Sequence, residues 1–303
     1  MTKDKKIKSI HSEDPVLYCG KVFSACEMAL IQEVVNRSGL NRASISRKVC
    51  RELNWLKADG KLKDMSCRVA MLRMEKDGWF TLPPPMKGNG NKTKHQHSNA
   101  MGDIHVPIHI PAGKIGSLKL EIVRTKEQSG LWNEMIHRWH YLNFKMLVGA
   151  QLRYLIHSDQ GLLGALSFSA SAWNVQPRED FIGWDTHSRK NNLHLIVNNS
   201  RFLILPWVKS KNLASKILSL AAKQLPDDWK KCYHFKPVLM ETFVEKKRFT
   251  GTCYKAANWI SLGETKGRGK LGDKSMLYSN IKYIMVYPLN KNFRQILQLN
   301  NQK

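Results

Sequence analysis

Acidic residues are scarce in this sequence: 24 Asp and Glu stand against 49 Lys and Arg in 303 residues, a formal net charge of +25. Such a chain favours a polyanionic partner over a cationic one. Long apolar runs are missing too. Nothing approaches the ~18 consecutive residues of a bilayer-spanning helix, which excludes a helical membrane protein. The N-terminal stretch Met1-Thr-Lys-Asp-Lys-Lys-Ile-Lys has charge with no apolar segment behind it, so no secretory signal is expected. The six cysteines, Cys19, Cys26, Cys50, Cys67, Cys232 and Cys253, form no CxxC pair and no Cys/His ligand grouping. Free thiols in a reducing cytoplasm explain them better than disulfides or zinc.

What is present suffices for a folded protein. Hydrophobic residues at 42% and aromatics at 9% can build a core, which excludes a disordered basic tail. At roughly 150 residues per domain the length suggests two domains, with one large domain still open. A ribosome-like basic surface or a membrane-facing patch would share the high charge. The membrane reading wants a basic amphipathic helix or a juxtamembrane Lys/Arg run, and neither is found. Nucleic acid is the favoured partner, because bases are spread over both halves. Charge alone does not separate DNA from RNA. The expected location is cytoplasmic and nucleoid-associated.

The patterning predicts an α/β protein in two parts. In residues 1–83, Val22, Cys26, Ala29, Leu30 and Val34 recur at helical spacing; Ile45, Val49 and Leu53 follow behind an Asn41 N-cap. A third helix carries Met65, Val69 and Leu72 as its core face, and Trp79–Leu82 suits a strand or wing. Three helices and a strand match a winged helix-turn-helix, with Lys63, Arg68 and Arg73 facing nucleic acid. A small helical bundle with solvated bases is the alternative. Residues 84–103 read as a linker, where scattered His95 and His97, with His105 just beyond, are taken as polar filler rather than a metal tract.

Residues 104–303 read as a mixed sheet with helices on its faces. Strands are expected at Leu118–Val123, Leu152–Ile156, Leu162–Phe168, Arg201–Leu205, Val238–Val244 and Tyr283–Tyr287. Helices are expected from a Ser129 cap through Trp139, over Leu213–Leu225, and over Lys246–Trp259. Three polar clusters stand out. His137 and His140 close a helix, beside Tyr141, and could serve as ligands or simply cap it. Asn198-Asn199-Ser200-Arg201, with Asn212 and Ser215, offers either an anion cradle or ordinary helix capping. Glu241 interrupts an apolar strand, where an ionised carboxylate needs a partner, as general base, metal ligand or salt-bridge member. Gly263–Gly269 is a basic glycine loop without Walker spacing.

Several of these runs carry a family resemblance. Asn198–Pro206, Asn212–Ser215, Glu241–Val244, Phe249–Trp259 and Leu262–Gly269 resemble the DruA family of Druantia anti-phage defence systems, whose relatives also accompany mobile elements. His140-Tyr141-Leu142 and Phe181–Trp184 fit as well. More distantly, the order of these motifs looks like phage Mom-type DNA-modification proteins, which have the GNAT acetyltransferase fold. That likeness implies a GNAT-like sheet in which His140, Tyr141, Arg201, Asn212, Ser215, Glu241 and Tyr254 converge on one cleft. Pro206–Ser215 lacks the glycine turn such enzymes use for acyl-CoA, so that cofactor is not expected; a divalent metal stays open.

The resulting expectation is a DNA-binding defence protein acting enzymatically on DNA. Glu241, Tyr254, His140, Tyr141 and Arg201 are the catalytic candidates. Asn199, Asn212, Ser215 and Thr252 form the cradle, and Lys266, Arg268 and Lys270 join Lys63, Arg68 and Arg73 as nucleic-acid contacts. Two alternatives remain: a mobile-element nicking or recombination protein, with Tyr254 or Tyr141 as nucleophile or Glu241 on a divalent metal, and a non-catalytic subunit that recruits a partner such as a helicase. Arg201 is the expected ionic partner of Glu241.

Overall fold

The computed structural model describes residues 15–37, 39–86, 106–147, 149–267 and 280–299. His95, His97, His105, Arg268, Lys270 and most of the expected linker lie outside them. The chain divides into two compact units, Met1–His95 and Gln96–Lys303.

The first unit opens with a hairpin that sequence patterning missed. Strands β1 (Val16–Tyr18) and β2 (Lys21–Phe23) pair antiparallel through Cys19 and Gly20, whose φ angles of 51° and 79° suit the left-handed two-residue turn. Helix α1 (Ala25–Arg37) buries Met28, Ile31 and Val34. Helix α2 (Arg42–Glu52) buries Ile45 and Val49, and the Asn41 side chain caps it by accepting from the Ala43 and Ser44 N–H groups. The hairpin takes Val22 out of the first helix.

Helix α3 (Asp64–Lys76) corrects the expected core face. Cys67, Ala70, Met71 and Met74 are buried, whereas Met65, Val69 and Leu72 are 57%, 40% and 44% exposed. Both sets follow helical spacing. The buried set has four members against three and brings two methionines against Phe23, Ile31 and Ile45, so it wins the core. Trp79–Leu82 is not a strand but an irregular segment that packs Trp79, Phe80 and Leu82 into the same core. Among the described residues the strands of this unit therefore precede its helices.

The second unit is a seven-stranded mixed sheet with helices on both faces, the α/β class expected. Its elements are β3 (Lys119–Ile122), α4 (Lys126–Trp139), β4 (Gln151–Ser158), β5 (Gly161–Ala170), α5 (Gln176–Ile182), α6 (Thr186–Asn192), β6 (Ile196–Ile204), α7 (Leu213–Tyr233), β7 (Leu239–Glu245), α8 (Thr252–Lys255), β8 (Ile260–Glu264), β9 (Lys282–Pro288) and α9 (Phe293–Gln298). Strand order is β3-β4-β5-β6-β7-β9-β8, antiparallel except for β6 beside β7. Thr125, not Ser129, caps α4, exchanging bonds with Gln128 in a capping box. The expected helix over Lys246–Trp259 contracts to the single turn α8. At Gly164 the β5 backbone lies so close to β6 that an added Cβ would sit 2.1 Å from the Leu203 carbonyl oxygen.

Alternation along the central strands sorts residues onto two cores. Val197, Met240 and Met285 pack with Met135 and Ile136 of α4 and with Ile217, Ala221 and Trp229 of α7. Ile196, Leu239 and Val286 pack on the other face with Ile182 of α5 and with Phe293 and Leu297 of α9. Neighbouring residues in one strand thus serve opposite faces.

Candidate functional site

The parallel strands β6 and β7 stay paired for four residues only, from Ile196 beside Leu239 to Asn199 beside Thr242. Past that point β6 remains on β5 and β7 remains on β9. The strands part, and a cavity of about 600 Å³ opens between them. Its lining comes from Asn199–Ile204 of β6, Thr242–Val244 of β7, the segment Arg248–Tyr254 and the end of α4 at Trp139–Leu142.

Each wall has a local cause. Helix α4 ends at His140, which turns extended while its N–H still bonds to the Ile136 carbonyl. The next turn brings the Leu142 N–H back to His140 Nδ1 at 3.2 Å. That bond places the ring proton on Nε2 in the neutral form. Burial, helped by the Arg201 charge, pushes the His140 pKa down to about 4, so the ring is neutral at pH 7. Tyr141 stacks on His140 with ring centroids 4.8 Å apart and lies against Phe249 at 5.4 Å. The Arg248 guanidinium sits 5.4 Å from the Tyr141 ring centre.

Deeper in, the Tyr254 hydroxyl donates to Asn199 Oδ1 at 2.7 Å. Asn199 Nδ2 in turn donates to the Ser167 and Arg201 carbonyls. Burial raises the Tyr254 phenol pKa well above its usual value, so the group is a donor and not a phenolate at neutral pH. Arg201 is buried, and its terminal nitrogens donate to the Ser200 carbonyl at 2.7 Å and to the Asn143 carbonyl at 3.4 Å.

The structure therefore brings together His140, Tyr141, Asn199, Arg201, Thr252 and Tyr254. It places the rest elsewhere. Glu241 is not in the cleft: it points to the opposite face of the sheet, fully buried. Its partner is Arg178 rather than Arg201. Arg178 Nη1 donates to Glu241 Oε2 at 2.7 Å, and the Ala172 N–H donates to Oε1 at 2.9 Å. Arg178 Nη2 also reaches Glu179 at 2.6 Å, and Glu179 is held by Trp184 and by the Val175 N–H. This network pins the chain between β5 and α6.

Asn212 and Ser215 also lie outside the cleft lining. The Ser215 hydroxyl donates to the Asn212 carbonyl at 3.0 Å, local bonding at the start of α7. Arg68 on α3 pairs with Asp64 at 3.2 Å, Arg73 and Lys266 are exposed, and Lys63 precedes α3 without a side-chain cap bond. Arg178 and Arg248 were the residues that sequence reading passed over. The basic run Lys246-Lys247-Arg248 ahead of Phe249 was the available signal for the second. Among the described residues no group of three His, Cys, Asp or Glu side chains could hold a metal ion. None of the described residues that line the cleft carries a carboxylate.

Comparison with known proteins gives three findings. Among solved structures, an aminoglycoside acetyltransferase bound to coenzyme A is 12% identical, covering 57% of this chain and 95% of that one at a TM-score of 0.40. A spermidine N-acetyltransferase variant from Vibrio cholerae is 11% identical over the same shares at 0.38. Nothing about this chain's chemistry follows from likeness at that level. Among curated proteins, the Druantia protein DruA of Escherichia coli (strain UMEA 4076-1) is 29% identical over 123 residues, 38% of this chain and 30% of that protein. The chain thus matches less than a third of that relative's length. The family model for Druantia protein DruA matches residues 73–288, a span that runs from the last turn of α3 through β9 and takes in every wall of the cleft. The chain belongs to the DruA family.

Proposed function

We propose that this chain is a DNA-binding protein of an anti-phage defence system and acts on DNA at the cleft between β6 and β7. The observation that carries this reading is the charge: 19 Lys and Arg against 10 Asp and Glu in the first unit, 30 against 14 in the second, and a cleft lined by Arg201 and Arg248 with no acid among its described residues. Phosphate neutralisation supplies most of the affinity of such proteins. Neutral His140 and the Tyr254 hydroxyl are the proton-handling groups within the cleft, and Arg201 is its fixed positive charge. Glu241 has no part in the chemistry in this reading, because its carboxylate is committed to Arg178.

That commitment also favours a second reading. With no carboxylate among the described residues of its lining, the cleft suits a subunit that binds DNA and recruits a partner such as a helicase. One experiment addresses both: incubate the chain with supercoiled, duplex and single-stranded DNA, with and without Mg²⁺ or Mn²⁺, and follow strands by gel and nucleosides by mass. Strand breaks or altered nucleosides are expected and should vanish in His140→Gln. Unaltered DNA that is still bound selects the recruiting subunit. Binding whose log affinity does not fall with log salt, by about 0.9 per contacted phosphate, overturns the charge argument itself.

A further inference from the structure

Arg201 is only 8% exposed and enters no ion pair with a described residue. A guanidinium has five N–H donors. The bonds of Arg201 to described residues are two, both to main-chain carbonyls, and no described carboxylate pairs with its charge. A buried charge is costly without a counter-charge. Among the described residues no acid lines the cleft to supply one. Glu245 acts on Tyr141 through space, but its carboxylate is engaged by Asn280 and lies 3.6 Å from Arg248. An anion carried by a ligand would supply the charge that no described residue brings to Arg201.

The mouth of the same cleft is aromatic. Tyr141 and Phe249 meet at 59°, Arg248 covers the Tyr141 ring, and Phe249 is 49% exposed. Asn199, Thr242, Thr250 and Thr252 add amide and hydroxyl groups along the walls. The volume, about 600 Å³, lies within the range of small-molecule sites. A ligand that satisfies all of this has an anionic group and a flat ring. The planar fork of arginine matches phosphate oxygens, and aromatic side chains stack on bases whatever their identity.

We propose that this cleft binds a single nucleotide, with its phosphate on the Arg201 guanidinium and its base against the Tyr141–Phe249 pair. Inside a duplex a base face is covered by its neighbours, so DNA supplies such a unit when one nucleotide is turned out of the stack. Only that choice of source rests on the DNA-acting reading.

The test titrates the full chain by calorimetry with three probes: dAMP, deoxyadenosine and inorganic phosphate. The expected result is dAMP binding at least about tenfold tighter than either part alone. Arg201→Gln should cost dAMP about tenfold while sparing deoxyadenosine, and Tyr141→Ala should weaken deoxyadenosine while sparing phosphate. Should Arg201→Gln fail to fold, Arg248→Ala at the exposed mouth replaces it and is expected to weaken dAMP severalfold. A second arm uses a duplex with 2-aminopurine opposite an abasic site, whose fluorescence rises when the base leaves the stack. Binding of dAMP with no such rise supports the nucleotide site and removes DNA as its source. A fluorescence rise without dAMP binding, or dAMP no tighter than phosphate, overturns the site while leaving the DNA-acting reading in place.

Discussion

Tyr254 and Asn199 meet at the point where β6 and β7 stop pairing, the tyrosine hydroxyl donating to the asparagine Oδ1 at 2.7 Å. The bond ties the one-turn helix α8 to the last paired residue of β6. Just there, the Thr242 hydroxyl donates to the Asn199 carbonyl. The side-chain amide of Asn199 is fixed in one orientation, its Oδ1 accepting from Tyr254 and its Nδ2 donating to the Ser167 and Arg201 carbonyls. Tyr254→Phe removes the donor and leaves a buried amide oxygen without its partner. A loss of about 1–2 kcal/mol in urea denaturation is expected. An unchanged midpoint would show that water replaces the hydroxyl there.

Glu241→Gln tests the buried network on the other face. Arg178 would keep Glu179 but lose its second carboxylate. The expected cost is about 3 kcal/mol, the low end for breaking a buried ion pair, because one carboxylate remains. The same variant should bind DNA with unchanged salt dependence once folded. Wild-type stability in this variant would return Glu241 to the list of functional residues.

His140 makes stability depend on pH in a stated direction. Its native pKa of about 4 lies below the unfolded value near 6.5, so the unfolded chain takes up a proton that the native chain refuses. Stability contributed by neutral His140 is complete above about pH 6.5 and is lost as pH falls toward 4, in total on the order of 3 kcal/mol. Denaturation of the wild type and His140→Gln at pH 7.5 and pH 5 measures it. The wild type should lose more stability between the two, and parallel curves would refute the assignment.

The two stripes of α3 differ in what they hold. Leu72→Ser and Val69→Ser should shift stability by no more than about 0.5 kcal/mol, since neither side chain is buried. Met71→Ala or Met74→Ala should cost about 2–5 kcal/mol by opening the core. Thermal denaturation of the four variants decides it, and the reverse ranking would restore Met65, Val69 and Leu72 as the core face.

Most strands were readable because each is an apolar run bounded by turn residues. The β4–β5 hairpin, β7 and β9 appear where the pattern places them, whereas β6 starts at Ile196, five residues before the expected Arg201, and α7 runs on from Leu225 to Tyr233. The short helices α5, α6 and α9 were not, since six or seven residues show barely two turns of period. The cleft was half legible. His140, Tyr141, Arg201 and Tyr254 do come together, but Glu241 and Thr242 are adjacent in a strand whose two faces are both buried. A run that is apolar on both sides carries no alternation, so the sequence shows a carboxylate in the sheet without showing which core receives it. Its partner Arg178 lies 63 residues away, a separation at which patterning says nothing.

The parting of β6 from β7 also makes the main chain itself a reporter. The β6 amides that face β7 after Asn199 are no longer held by its ladder, whereas Val197 to Asn199 sit between two strands. Deuterium should therefore enter the second half of one strand sooner than the first half. Whatever fills the wedge would slow that uptake, and occupancy could be followed in the unaltered chain, without a label or a substitution.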